Sequence, residues 1–145
     1  MRNANRNLGF SLIELMVVVL LMSIIMGIGI PSYRQYTQRA ARADATAALL
    51  RLAAAQERWY LQNGTYATNA QLQAPPPGGL GFTGAKTERQ FYDLQITAAN
   101  ALAFTVQATP AAGQPQITDA DCQAFTMDER GTRTSAPQGI NVCWR

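Results

Sequence analysis

Leu8-Gly9-Phe10-Ser11-Leu12-Ile13-Glu14-Leu15 heads an apolar run that continues without a break to Ile30. From Phe10 to Ile30 the single charged residue is Glu14. A helix of roughly this length, rising ~1.5 Å per residue, matches the hydrocarbon thickness of a bilayer, so the run is able to span a membrane. Glu14 is the residue that needs a reason. A carboxylate near the end of a spanning helix is costly without a partner, which makes it a functional-site hypothesis by default.

The chain has 145 residues. Setting the first 31 aside leaves enough for one small globular domain with a modest core. The net charge of +3 is unevenly spread: Arg2 and Arg6 precede the apolar run and no acid accompanies them. Cationic residues beside a spanning segment favour the cytoplasmic side, so the N-terminus should stay inside and everything after Pro31 should lie outside. Cys122 and Cys143 then face an oxidising compartment, where a pair reads as a disulfide. The sequence contains no histidine, which excludes a Ser-His-Asp or Cys-His site and any imidazole-ligated metal. With no glycine-rich phosphate loop and no convincing acid pair either, we expect no enzyme, no cofactor and no metal.

Three readings fit the N-terminal segment. A secretory signal peptide accounts for the basic start and the small-x-small triplet Gly27-Ile28-Gly29, but Glu14 interrupts its apolar region. A signal anchor kept whole accounts for the length and the arginines but gives Glu14 no role. The third reading starts from Gly9-Phe10-Ser11-Leu12-Ile13-Glu14-Leu15, which resembles the processing site of type IV pilins and type II secretion pseudopilins. That resemblance implies that a prepilin peptidase removes the leader between Gly9 and Phe10 and methylates the new amine of Phe10. Glu14 then lies about one helical turn beyond a cationic amine and is the assembly contact, since an opposite charge is what a carboxylate needs in the low-dielectric bilayer.

Gly27, Gly29 and Pro31 punctuate the outer end of the run. One reading is packing, since small residues let helices approach closely; the alternative is a weak point in the helix, because glycine costs ~1 kcal/mol and proline ~3 kcal/mol against alanine. From Ser32 to Gln62 the pattern turns amphipathic. Ala41, Ala45, Ala48, Leu49, Leu52, Ala55 and Trp59 follow one helical face, while Asp44, Arg51 and Arg58 mark another. The spacing predicts one continuous helix from about Ser11 to Gln62, roughly 75 Å long and stopped by Asn63-Gly64. Most of its arginines are expected to be solvated or to pair with acids on neighbouring subunits, and for the cluster Arg34, Arg39 and Arg42, just outside the membrane segment, lipid headgroups are an alternative partner.

Pro75-Pro76-Pro77-Gly78-Gly79 makes the segment from Thr65 to Lys86 a surface loop, since consecutive prolines supply no ladder donors. Phe91–Thr97 and Leu102–Ala108 alternate apolar and polar around a turn at Ala98–Ala101, and Cys122–Asp128 alternates again. A short fourth segment, Gly139 to Trp144, returns to the body. An antiparallel sheet with one apolar face would cover the helix stripe, giving an α+β fold. The pair Cys122 and Cys143 would close a C-terminal loop, stabilising by about 3 kcal/mol in the chain-entropy model.

Trp59-Tyr60, Asn63-Gly64-Thr65-Tyr66, Ala108-Thr109-Pro110, Asp121-Cys122, Thr126-Met127-Asp128 and Cys143-Trp144 resemble PilE-type minor pilins of Gram-negative bacteria. The resemblance implies this organisation: a leader at 1–9, a transmembrane and filament-core helix at 10–31, an amphipathic helix at 32–64, a helix-to-sheet loop at 65–90, and a sheet head with its disulfide loop at 91–145. It implies a type IV pilus subunit serving adhesion, twitching motility or DNA uptake, with a major pilin or a type II secretion pseudopilin as alternatives. Its partners are other pilin subunits, the prepilin peptidase, the inner-membrane assembly machinery and the membrane itself before assembly. A tip subunit binding DNA or an adhesion target is a further alternative. From Thr65 onward five cations face six acids, so the candidate ligand patch is local, at Arg130 and Arg133.

Overall fold

The computed structural model describes residues 10–145; the leader and Gly9 lie outside the described residues. The first element is α1, Leu12–Asn63, of 52 residues. It runs without interruption through Gly27, Gly29 and Pro31. Its end is built by the residues the sequence pointed to: Gly64 adopts φ +68° and donates to the Tyr60 carbonyl at 2.8 Å, while the Asn63 amide donates to the Trp59 carbonyl at 3.0 Å. Glycine takes this left-handed conformation without a side-chain clash, which is why the helix closes there.

The chain forms two units, one up to Tyr36 and one from Thr37 to Arg145. In the first, every side chain from Leu12 to Ile30 is exposed. The second is a helix packed on a sheet. Four strands, β1 (Tyr92–Ala99), β2 (Phe104–Pro110), β3 (Cys122–Asp128) and β4 (Arg133–Pro137), form an antiparallel meander in the order β1-β2-β3-β4. Tyr92, Leu94 and Ile96, then Phe104, Val106 and Ala108, then Phe125 and Met127, recur every second residue and turn inward. They pack with Ala41, Ala45, Ala48, Leu49 and Leu52 of α1 in a single core. Alanines on the helix face let the sheet come close, and the leucines and aromatic rings fill the volume that remains.

Two sequence expectations shift. The hairpin turn lies at Asn100–Ala103 rather than Ala98–Ala101, because β1 runs on to Ala99 after a bulge between Ile96 and Ala98. Asn100 organises that turn by accepting the Leu102 and Ala103 amides at 2.7 and 2.9 Å. The fourth strand is Arg133–Pro137, whereas Ile140–Cys143 forms a short helix, α2. Arg133 to Pro137 is polar, with its side chains largely exposed, so it carries no alternating apolar signal. It is recruited by its ladder with β3.

Outside the sheet, the segment between helix and strands contributes backbone partners. Asn69 accepts the Ile96 amide at 2.9 Å, and the Thr87 amide donates to the Tyr92 carbonyl at 3.0 Å. These bonds occupy backbone groups of β1, an edge strand that would otherwise invite pairing with another chain.

Candidate functional site

The N-terminal site is a helix end. Phe10 is exposed, and Glu14 sits in the first turn of α1, where the helix dipole presents its positive end to a carboxylate. Beyond it, Leu15, Met16, Val19, Leu20 and Ser23 border a shallow apolar hollow on the helix surface. The stretch has a mean hydropathy of 2.6 and no buried residue, and by length and composition it is able to cross a membrane. An apolar surface this continuous is not stable in water uncovered, so lipid or another protein must cover it. Chemically the site is a contact surface: one acid, one polar end and a long apolar wall.

The C-terminal site is organised by the disulfide. Cys122 opens β3, Cys143 closes α2, their Cα atoms are 5.7 Å apart and both are fully buried. Trp144 follows directly. Its ring meets the Phe125 ring edge-on at 6.1 Å, and its indole N–H donates to the Thr134 carbonyl at 3.0 Å. The Arg133 guanidinium lies 5.2 Å from the centre of the Trp144 ring, within range of a cation–π contact. Arg130 occupies the β3–β4 turn. The Asp128 carboxylate shapes that turn by accepting the amides of Arg130 at 3.0 Å and Thr132 at 2.7 Å. Some desolvation would push the Asp128 carboxyl up, but the bonds from Thr132 and Arg130 outweigh it and hold it below its ordinary value. The two candidate patch residues therefore differ: Arg130 is countered by Glu129 at 3.3 Å, whereas Arg133 is committed to an aromatic ring.

Two polar residues of α1 escaped the sequence reading. Arg42 was expected on the solvated or intersubunit side, yet it is buried and pairs within its own chain. Its Nε and Nη2 donate to the two carboxylate oxygens of Asp119 at 2.7 Å each, and Nη1 donates to the Val142 carbonyl at 3.4 Å. Bonding to Asp119 raises the pKa of Arg42, against the opposing effect of burial. Gln56, fully buried, holds Ala67 from both sides: its Nε2 donates to the Ala67 carbonyl and its Oε1 accepts the Ala67 amide, each at 2.8 Å. The signal for both was in the periodicity. Arg42 stands three residues before Ala45, and Gln56 four after Leu52, on the apolar stripe itself. Arg51, too, pairs within the chain, with Glu88. Arg51, Glu88 and Lys86, the last paired with Asp93, line a cleft of about 510 Å³ together with Ala48, Phe82 and Leu94.

Comparison with known proteins places both sites in context. Residues 31–126 match the family described as the type IV minor pilin ComP, DNA uptake sequence receptor, and residues 4–30 match the prokaryotic N-terminal methylation motif. Among curated relatives, the type IV major pilin protein PilA of Myxococcus xanthus is 31% identical over 119 residues, covering 79% of this chain and 50% of that protein. The type IV major pilin protein PilE1 of Neisseria gonorrhoeae is 34% identical over 71 residues, covering 47% of this chain and 43% of that protein. The chain thus spans about half the length, or less, of these relatives. Its fold is like that of the Neisseria meningitidis non-core minor pilin PilV, with a TM-score of 0.50 at 23% identity, over 74% of this chain and 94% of that one.

Proposed function

The chain belongs to the type IV pilins, in the minor pilin family whose match covers residues 31–126, and on that premise we propose how it reaches and enters the filament. The leader 1–9 is removed by prepilin peptidase between Gly9 and Phe10, and the amine of Phe10 is methylated. Before assembly the subunit waits in the inner membrane through residues 10–31, with the part from Thr37 onward in the periplasm. The inner-membrane assembly machinery then moves it into a filament of other pilin subunits, where Glu14 meets the cationic amine of a neighbour. Gly27, Gly29 and Pro31, continuous helix in the isolated chain, are the place where α1 yields on packing.

One observation carries this reading: the apolar surface of α1 from Leu12 to Ile30 is uncovered among the described residues and begins with a carboxylate in its first turn. Membrane storage and filament packing each supply the cover. The test is mass spectrometry of the N-terminus of this protein from sheared surface filaments, with its amount relative to the most abundant subunit. We expect a chain starting at methylated Phe10 and present at a small fraction of the main subunit. An intact Met1 recovered only from membranes would overturn processing and incorporation, and a dominant amount would make it a major pilin.

A second reading, that the subunit is a DNA receptor on the filament, is favoured by the family match and by the exposed Arg130 beside Arg133. Cations near the β3–β4 turn would neutralise phosphates, and each phosphate left without its cation lowers the salt slope of binding by about 1. Replacing both arginines by glutamine should weaken DNA binding and flatten that slope. Binding unchanged at all salt concentrations would sink the receptor role of this patch.

A further inference from the structure

Arg42 touches the residue that precedes each cysteine. Its guanidinium holds Asp119 through two bonds of 2.7 Å, and the same Asp119 carboxylate accepts the Asp121 amide at 3.3 Å. Asp121, whose own carboxylate lies 3.5 Å from Arg42 Nη2, is followed by Cys122. On the other side, Arg42 Nη1 reaches the carbonyl of Val142 at 3.4 Å, and Val142 is followed by Cys143. One side chain of α1 thus grips both flanks of a disulfide whose cysteines are 21 residues apart in sequence. We infer that Arg42 is the positioning residue for the Cys122–Cys143 bond, setting the two thiols face to face before they are oxidised.

The physical case rests on geometry and burial. A planar guanidinium bound to both oxygens of one carboxylate is fixed in direction, which a flexible ammonium is not. The pair is nearly excluded from solvent, with side-chain exposures of 10% for Arg42 and 2% for Asp119. A buried charge left half-paired is strongly disfavoured, so the reduced chain keeps this arrangement rather than releasing the loop. The closure entropy of the loop is then met by the helix contact, and the thiols have a high effective concentration when oxidant arrives. With oxidised glutathione as oxidant, one cysteine thiolate attacks the glutathione disulfide and expels a glutathione thiolate. The second cysteine thiolate then attacks the mixed disulfide and expels another. Two electrons pass from the cysteines to glutathione and two protons are released from the thiols.

The experiment equilibrates the full-length chain in detergent with glutathione redox buffers, traps free thiols by alkylation and reads the oxidised fraction by mass spectrometry. Arg42→Gln should lower the effective concentration of the thiol pair by about tenfold or more and slow closure, with Arg42→Lys intermediate. Arg51→Gln, which removes an exposed ion pair, should stay within about twofold of the unaltered chain. Should Arg42→Gln fail to fold, Arg42→Lys, which keeps the charge but not the fork, decides. A merely structural role would lower the stability of oxidised and reduced forms alike and leave the effective concentration within about twofold, and that result overturns the inference.

Discussion

Two stretches of the same helix invert the usual relation between hydrophobicity and burial. From Leu12 to Ile30, α1 carries valines, leucines, isoleucines and methionines, and all of them are exposed. From Ala41 to Gln56 half of the buried residues are alanines, joined by Leu49 and Leu52 and by two polar side chains. Burial here is decided by what the chain can place opposite each residue. The sheet serves the second stretch, whereas the apolar side chains of the first stay exposed.

That contrast is broken most directly by trimming a leucine in each stretch. Leu52 is fully buried, so Leu52→Ala should cost about 2–5 kcal/mol of the stability of the unit from Thr37 onward, read by urea denaturation in detergent. Leu20, whose side chain is exposed, should leave the same midpoint unmoved when it is replaced by alanine. Equal shifts from both variants would mean that the two stretches are not energetically separate.

A smaller effect sharpens the comparison within the buried stretch. Removing Gln56 strands both the amide and the carbonyl of the buried Ala67, at a cost of about 1–3 kcal/mol. Gln56→Ala should therefore lower the urea midpoint clearly, while Arg58→Ala, on the exposed side, should remain within about 0.5 kcal/mol. An unmoved midpoint at Gln56 would show that the link from the helix to the Ala67 segment carries no stability.

The sequence made the large features legible because periodicity records them. The stripe from Ala41 to Ala55, the glycine stop at Gly64, the inward alternation of β2 and β3 and the α+β architecture all follow from spacing that a helix or a pleated strand imposes. β4 and α2 were not legible in the same way. Arg133-Thr134-Ser135-Ala136-Pro137 pairs through backbone bonds to β3, and backbone pairing leaves no side-chain pattern to find. At the candidate sites, Glu14 and the cysteines announced themselves by being the wrong residue type for their surroundings or by coming as a pair. For Arg42 and Gln56 periodicity marked only the buried face, not the partner, since Asp119 is 77 residues from Arg42 and Ala67 lies beyond the helix stop at Gly64. Trp144 was visible as an aromatic residue beside Cys143, but its contact with Arg133 depends on the unexpected strand.

The smallest effect concerns a buried side chain that differs from Arg42 and Gln56 in having no hydrogen-bond partner among the described residues. Tyr92 is fully buried opposite the helix stripe, and its hydroxyl makes no hydrogen bond among the described residues. Burial, reinforced by the Asp119 carboxylate, raises its pKa above the ordinary tyrosine value of about 10. The folded state therefore holds this proton more tightly than the unfolded state. Its contribution is fully present below about pH 10 and is lost as the pH climbs beyond the unfolded value, by up to about 1.4 kcal/mol per pH unit. Tyr92→Phe should change stability little at pH 7, because it deletes a hydroxyl without a partner, and should flatten the decline between about pH 10 and 11.5. Urea midpoints for both chains across that interval isolate Tyr92 from the other groups that titrate there. Parallel declines would mean that the hydroxyl is solvated or bonded in solution, and would remove the distinction between a buried polar group held by a partner and one held by packing alone.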